Sequence, residues 1–488
     1  MLKPPVQTIV KKGLFACLCA AIGGLVALVL AAVFLLESRP DLNRWHEVFL
    51  DAEYTAESSV TDWKDYLALE DRLFQQLERL VLDRVPRAER GPIQRYHRGS
   101  LSDPGRWKRN WNRSFELANS QPTAGVLLLH GMSDSPYSLR VLGQRLNNAG
   151  AWVIGLRLPG HGTVPSGLIH PTWEDMAAAV RLAMRHLKDR VQGRPIFLVG
   201  YSTGGALAVN YALESLDDAD VPAVKKIVLI APAMGVTPLA ALSVWQARLG
   251  RWLGLPKLAW NSISLEYNPY KYSSFAINAG DQVYRLSNTI QLRLDAALAD
   301  GVLDRFPQTL AFQSLVDATV STRAVFSGLY QRLTNPGNEL VVFDINRQAD
   351  IDELLTVDPL VRLRELAGKA TQRFVFDLVT NEHPTSRRVV VHRSGGNLAA
   401  QSAEPLAWQW PEGVHSLSHV ALPFSFEDPL YGASDAVSNP GLALSKITLR
   451  GERGVIKIPA SAMLRIKWNP FYPYLEQRVL DFLQLAVQ

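Results

Sequence analysis

Ile196-Phe197-Leu198-Val199-Gly200-Tyr201-Ser202-Thr203-Gly204-Gly205-Ala206-Leu207-Ala208-Val209 is the stretch whose reading decides the fold. An apolar, β-like run enters G-x-S-x-G, and a run of small, helix-compatible residues leaves it. Strand, sharp turn and helix around such a serine describe a nucleophile elbow. The flanking glycines fit because backbone crowds so tight a turn on both sides, where a Cβ would clash. Ser202 is thereby placed at the start of a helix, where free N–H groups and the positive end of the dipole favour developing negative charge.

Two further apolar runs precede the elbow. Gly125-Val126-Leu127-Leu128-Leu129 reads as a buried parallel strand and leads into His130-Gly131-Met132-Ser133. Ala151-Trp152-Val153-Ile154-Gly155 leads into Leu156-Arg157-Leu158-Pro159-Gly160-His161-Gly162-Thr163. The H-G-x-x-x-S-P loop (His130 to Pro136), the P-G-H-G loop (Pro159 to Gly162), a helix opened by Pro171-Thr172-Trp173-Glu174-Asp175, and G-Y-S-T-G-G follow in this order. Together they resemble the monoacylglycerol lipase and carboxylesterase (serine aminopeptidase-like) branch of the α/β-hydrolase superfamily. The resemblance is close over about residues 122 to 235 and absent before about 105. It implies an α/β fold, a mostly parallel central sheet flanked by helices, with a helical cap. It also places an oxyanion hole at the backbone N–H groups of Met132 and Thr203. His130 and His161 are read as structural, His161 bracing a turn between two glycines.

A serine nucleophile needs a base, and an acid to orient it, in the chain order Ser, Asp/Glu, His for this fold. Asp317 ends a strand pattern, Thr309 to Val316, and precedes Ser321, which caps a helix with Phe326, Leu329, Tyr330 and Leu333 on its apolar face. Asp317 is the expected acid, with Asp344, after Leu340-Val341-Val342-Phe343, as runner-up. Ser418-His419-Val420 matches the family's pattern at the base, so His419 is preferred to His415, and His392 is read as a strand residue. His419 nevertheless lies 75 positions beyond Asp344. The intervening stretch, about 346–410, reads as an inserted hairpin at the sheet edge, built on Arg373 to Phe376 and Arg388 to Val391.

At the other end, Leu14 to Leu36 is a run of 23 residues with no charged side chain. As a helix it reaches about 34 Å, enough for a hydrocarbon core of about 30 Å. Lys3, Lys11 and Lys12 precede it, so the positive-inside rule predicts a cytoplasmic N-terminus and an exported body, on the periplasmic or extracellular side. The run exceeds a usual signal-peptide core, and an uncleaved anchor is expected. Both cysteines, Cys17 and Cys19, fall inside it, leaving the body without a disulfide. Net charge is +5, of which three charges lie in the first twelve residues, so the pI of 9.1 gives no reason to invoke nucleic acid.

The expected organisation is a basic segment at 1–13, the anchor at 14–36, a helical extension and connector at 37–105, and one hydrolase domain at 106–488. The extension is read as helical over 38–85, with a stripe from Trp63 to Val81. The cap spans about 234–307. Its Trp245, Trp252 and Trp260, interleaved with Arg248, Arg251 and Lys257, suit either packing against the body or a lid on a bilayer. The expected chemistry is cleavage of carboxylic esters, acyl or lipid, through an acyl-enzyme, with no metal or organic cofactor implied. Peptidase or thioesterase chemistry on the same residues, and a non-catalytic scaffold, are the alternatives; protein partners are not legible.

Overall fold

The structure, a computed structural model, describes the chain except residues 1–3, 236–253, 350–354, 368–372, 396–400, 448–462 and 487–488. Its centre is a sheet which, among the described residues, has ten strands. In chain order these are β1 (Phe115–Leu117), β2 (Ala124–Leu129), β3 (Ala151–Leu156), β4 (Ile196–Tyr201) and β5 (Lys226–Ile230), then β8 (Gln308–Ser314), β9 (Glu339–Phe343), β10 (Val375–Asn381), β11 (Arg388–Gly395) and β12 (Gln401–Gln409). A separate small ribbon joins β6 (Trp260–Ser262) to β7 (Phe275–Ala276). The sheet order is β1-β3-β2-β4-β5-β8-β9-β10-β11-β12. From β3 across to β10 all neighbours are parallel, while β1 and the last two strands are antiparallel.

Every residue of β2, β4 and β5 is buried. That is why they read as unbroken apolar runs: both faces are covered, and alternate residues serve opposite layers. Leu127, Leu129, Leu198 and Leu229 pack under the helices Trp173–Val191, Thr203–Asp217 and Ile277–Ala299. Val126, Leu128, Val199 and Val228 pack under Arg140–Asn148 and Tyr472–Leu483. The Trp173–Val191 helix opens on a capping box, Thr172 and Asp175 satisfying each other's backbone N–H.

The insertion departs from expectation. It holds three strands, and the first, β10, runs parallel to β9 in register Val375 with Glu339. Phe376 packs on one face of the sheet and Val379 on the other. The β10–β11 hairpin stands at the sheet edge as read, but it extends the central sheet itself and carries a third strand beyond it. The third strand carries Ser402, Glu404 and Pro405 with no apolar run, which is why the sequence conceals it.

Residues 38–85 are less helical than expected. The long helix covers Trp63–Leu80, capped by Asp62, with only a short turn at Arg44–Glu47 before it. Its stripe is buried as read, and polar contacts fasten it too. The Arg157 guanidinium, fully buried in the P-G-H-G region, binds Glu53 at 2.8 Å and Glu70 at 3.2 Å. Residues Pro4–Glu37 form one helix. Among the described residues, no helix is long and apolar enough to cross a membrane.

In the cap region, Trp245 and Trp252 lie outside the described residues. Trp260 belongs to the core: it is 1% exposed and meets the His46 ring edge-on at 5.0 Å. Lys257, read as a candidate interfacial cation, pairs with Asp41 at 2.8 Å.

Candidate active site

β4 delivers Tyr201 and Ser202, and the helix begins at Thr203. Ser202 has φ 54° and ψ −116°, a strained conformation for a residue with a Cβ. Backbone bonds hold it there. Its N–H donates to Ile230 O at 2.9 Å, and its carbonyl accepts from Gly205 and Ala233, each at 3.0 Å. A Cβ on Gly204 would collide with the carbonyl oxygen of Leu129, and one on Gly200 with that of Gly204, so the tight approach of elbow and β2 requires both glycines.

The His130–Pro136 loop lies over the elbow. A Cβ on Gly131 would stand 3.1 Å from the Ser202 Cβ, which places Met132, the next residue, beside the serine. Ser133 follows with φ 60°, and its carbonyl accepts the Tyr272 N–H at 2.8 Å. Thr203, first in its helix, has an N–H with no earlier carbonyl in the helix to reach. The imidazole of His130 turns away beneath the loop, accepting the Leu158 N–H at 3.0 Å. His161 Nδ1 bonds Pro159 O at 2.9 Å, and burial lowers its pKa to about 4. Both histidines serve the scaffold, as the sequence suggested.

Asp317 follows β8 and accepts the N–H groups of Thr319 at 2.8 Å and Val320 at 3.0 Å, with Gln313 at 3.3 Å. Burial raises its pKa, and these donors act against the rise. His419 reaches it from the far end of the insertion. Its ring lies nearly parallel to Tyr201, centroids 6.1 Å apart, and its Nδ1 stands 3.9 Å from Asp317 Oδ1. That Nδ1 is buried and has no hydrogen-bond partner among the described residues. A small ring movement closes the gap, as catalytic contacts often do only once substrate is bound. The Ser314 hydroxyl, donating to Leu417 O at 2.6 Å, ties the loop that carries His419 to the strand that leads to Asp317.

The other candidates are committed elsewhere. Asp344 receives Arg347 through both carboxylate oxygens, at 3.0 and 2.9 Å, together with the Thr380 hydroxyl at 2.8 Å. His415 lies on the Asn346 side, its carbonyl accepting the Asn346 N–H. His392 pairs across the sheet with Leu378 and Ala403.

A family model described as serine aminopeptidase, S33, matches residues 120–318. The "Thermostable monoacylglycerol lipase" of Bacillus sp. (strain H-257) is 35% identical over 129 residues, covering 26% of this chain and 48% of the relative. The chain thus spans about half the length of the curated relative it matches. The similarity to that family lies in residues 120–318. Over the matched segment the chain resembles the monoacylglycerol lipase and esterase branch. Among solved structures, one of the metagenome-derived lipolytic enzymes LipS and LipT is 22% identical, at a TM-score of 0.38, over 53% of this chain and 98% of the other. The monoacylglycerol lipase of Paleococcus ferrophilus is 20% identical, at a TM-score of 0.36, over 47% and 88%.

Two residues that act on His419 escaped the sequence reading. Lys271 and Arg465 both act electrostatically on the His419 ring, adding to burial in holding its pKa well below the ordinary histidine range. Neither belongs to a motif, and only the tertiary fold brings them there.

Proposed function

We propose that this α/β-hydrolase cleaves carboxylic esters, acyl or lipid, through an acyl-enzyme on Ser202. The Ser202 hydroxyl attacks the ester carbonyl and His419 takes its proton. Asp317 orients the ring and offsets the imidazolium charge. The tetrahedral oxyanion is held by the N–H groups of Met132 and Thr203, worth about 3 kcal/mol per donor. As the C–O bond breaks, His419 returns the proton to the leaving alcohol. Water then repeats the sequence on the acyl group and frees the acid. The observation that carries this reading is the strained serine at the head of its helix, with a buried carboxylate and imidazole 3.9 Å apart nearby. The relative's name supports a lipid-like acyl ester as substrate. The test is labelling by a fluorophosphonate probe together with hydrolysis of nitrophenyl esters. Ser202→Ala should abolish both while shifting stability by less than about 1 kcal/mol. Full activity in that variant overturns the assignment.

We also propose that residues 14–36 anchor the protein in a membrane, N-terminus cytoplasmic and hydrolase domain exported. The support is the uncharged run of 23 residues preceded by three lysines. Resistance to alkaline carbonate extraction and accessibility of the body to external protease are expected. Release of the full-length chain by carbonate refutes the anchor.

A further inference from the structure

The N-terminal helix Pro4–Glu37 runs into the body with no linker between them. Ser38 and Arg39 still donate their backbone N–H groups to Phe34 O at 3.0 Å and Leu36 O at 3.3 Å. The Arg39 side chain then crosses to the start of β6. Its guanidinium donates to the carbonyls of Lys257 at 3.0 Å, Trp260 at 2.7 Å and Asn261 at 2.9 Å. Lys257 answers in the other direction, its ammonium donating to Arg39 O at 3.1 Å and to Asp41 at 2.8 Å. These side-chain bonds clamp together two stretches more than 200 positions apart.

The clamp leads on to the reaction centre. Leu42, just beyond it, packs on the same apolar cluster as Met132, and that cluster contains Trp260 and Tyr272. Met132 stands beside Ser202, and Tyr272 donates its N–H to the carbonyl of Ser133, the next residue in that loop, at 2.8 Å. His46 adds a second tie, its Nε2 2.9 Å from the Ser274 hydroxyl. The end of the helix and the loop over the elbow thus belong to one packed unit. A guanidinium that satisfies three carbonyls at once fixes the direction of the chain as well as its position. A flexible tether of about ten residues would instead let the body wander about 18 Å from the helix end. Fixing the body brings nothing to an ester dissolved in water, which reaches Ser202 from any side. It matters when the ester lies in the surface from which the helix emerges.

We propose that the Arg39–Lys257 clamp is a positioning device that holds the Met132 side of the reaction centre at the bilayer surface, and that the preferred esters are lipids resident in that leaflet. The proposal rests on the hydrolase and anchor readings above. Arg39 and Lys257 touch no substrate and act through placement alone.

The test uses the full-length chain in phosphatidylcholine vesicles, with monooleoylglycerol in the bilayer as one substrate and 4-nitrophenyl butyrate in the water as the other. Arg39→Ala removes the fork. Inserting about ten Gly and Ser residues between Glu37 and Ser38 leaves every clamp contact in place but frees the body from the helix. Each change should lower turnover of the bilayer ester relative to the soluble one about tenfold, through the KM for surface concentration of the lipid and with kcat little changed. Arg39→Lys, which cannot span three carbonyls, should fall between parent and Arg39→Ala. The insertion variant should match the parent in melting temperature and on 4-nitrophenyl butyrate, and it decides alone if Arg39→Ala fails to fold. An unchanged ratio in the insertion variant, or an Arg39→Ala loss that strikes both esters in proportion, overturns the proposal. Two controls separate the failures. Release of the parent by carbonate sinks the anchor reading, and absence of fluorophosphonate labelling sinks the hydrolase reading, each taking this inference with it. An anchored, labelled enzyme that ignores monooleoylglycerol, or whose ratio the variants leave unmoved, sinks this inference alone.

Discussion

Replacing Asp317 and Asp344 in turn by asparagine separates a carboxylate that works through its charge from one that works through packing. Asp317 Oδ1 accepts two backbone N–H groups and Oδ2 faces the Gln313 amide. An asparagine keeps the first two bonds through its own carbonyl. Its NH2 then faces the Gln313 amide, whose Nε2 keeps the Ser314 and Val320 carbonyls and the Thr322 hydroxyl as its other acceptors. Asp317→Asn should therefore cost less than about 1 kcal/mol in stability. What it removes is a negative charge 3.9 Å from the His419 Nδ1. At an effective dielectric of about 20 that charge is worth about 4 kcal/mol to the imidazolium, a loss of about a thousandfold in kcat. Asp344→Asn breaks the two-pronged contact with Arg347, though Arg347 retains Asp358 at 2.9 Å. It should cost about 3 kcal/mol and lower the melting temperature by several degrees, with kcat per folded molecule little changed. The assays are thermal melting and turnover of a soluble nitrophenyl ester, normalised to intact fold. If Asp344→Asn destroys turnover at unchanged melting temperature while Asp317→Asn is mild, the acid has been misassigned.

Three more outcomes follow. His419→Ala should fall to the residual rate of Ser202→Ala, since members of such a set fail as a unit, and His415→Ala should stay within a fewfold of the parent; equal loss in both would refute the choice of base. Attack needs the neutral imidazole, and burial with Lys271 and Arg465 keeps His419 neutral to unusually low pH, so the acid limb of kcat/KM should lie below the ordinary histidine range. Lys271→Met should move that limb upward, and a limb that stays in place refutes the coupling. Trp260→Ala should cost about 3–5 kcal/mol as a core deletion, read by thermal melting, whereas an unchanged melting point would return Trp260 to the surface.

What the sequence made legible follows burial. β2, β4 and β5 are covered on both faces, so apart from Lys226 at the start of β5 they are built of apolar and aromatic residues and glycine, and the strands stand out. The elbow was legible because a backbone that tight tolerates only glycine at Gly200 and Gly204. β12 was not, because its side chains are largely solvent-facing and its place in the sheet comes from backbone pairing with β11. The Trp260 region was ambiguous because aromatic and basic residues alternate equally in a lid and in a packed seam. What decides is the partner, Asp41 for Lys257 and the His46 ring for Trp260, and both partners lie more than 200 positions away. Lys271 and Arg465 left no trace for a related reason: only the tertiary fold lets them act on the His419 ring.

The four strands that lie between Asp317 and His419 also set a schedule. Ser202 precedes His419 by 217 positions, so at about 5–20 residues per second a ribosome completes the elbow roughly 10–40 s before it adds the base. β10 must pair with β9, and β11 and β12 must follow, before the base-bearing loop can return to Ser314. Through most of synthesis Ser202 is present without His419. If the proposed chemistry holds, activity arrives last, with the closing third of the chain.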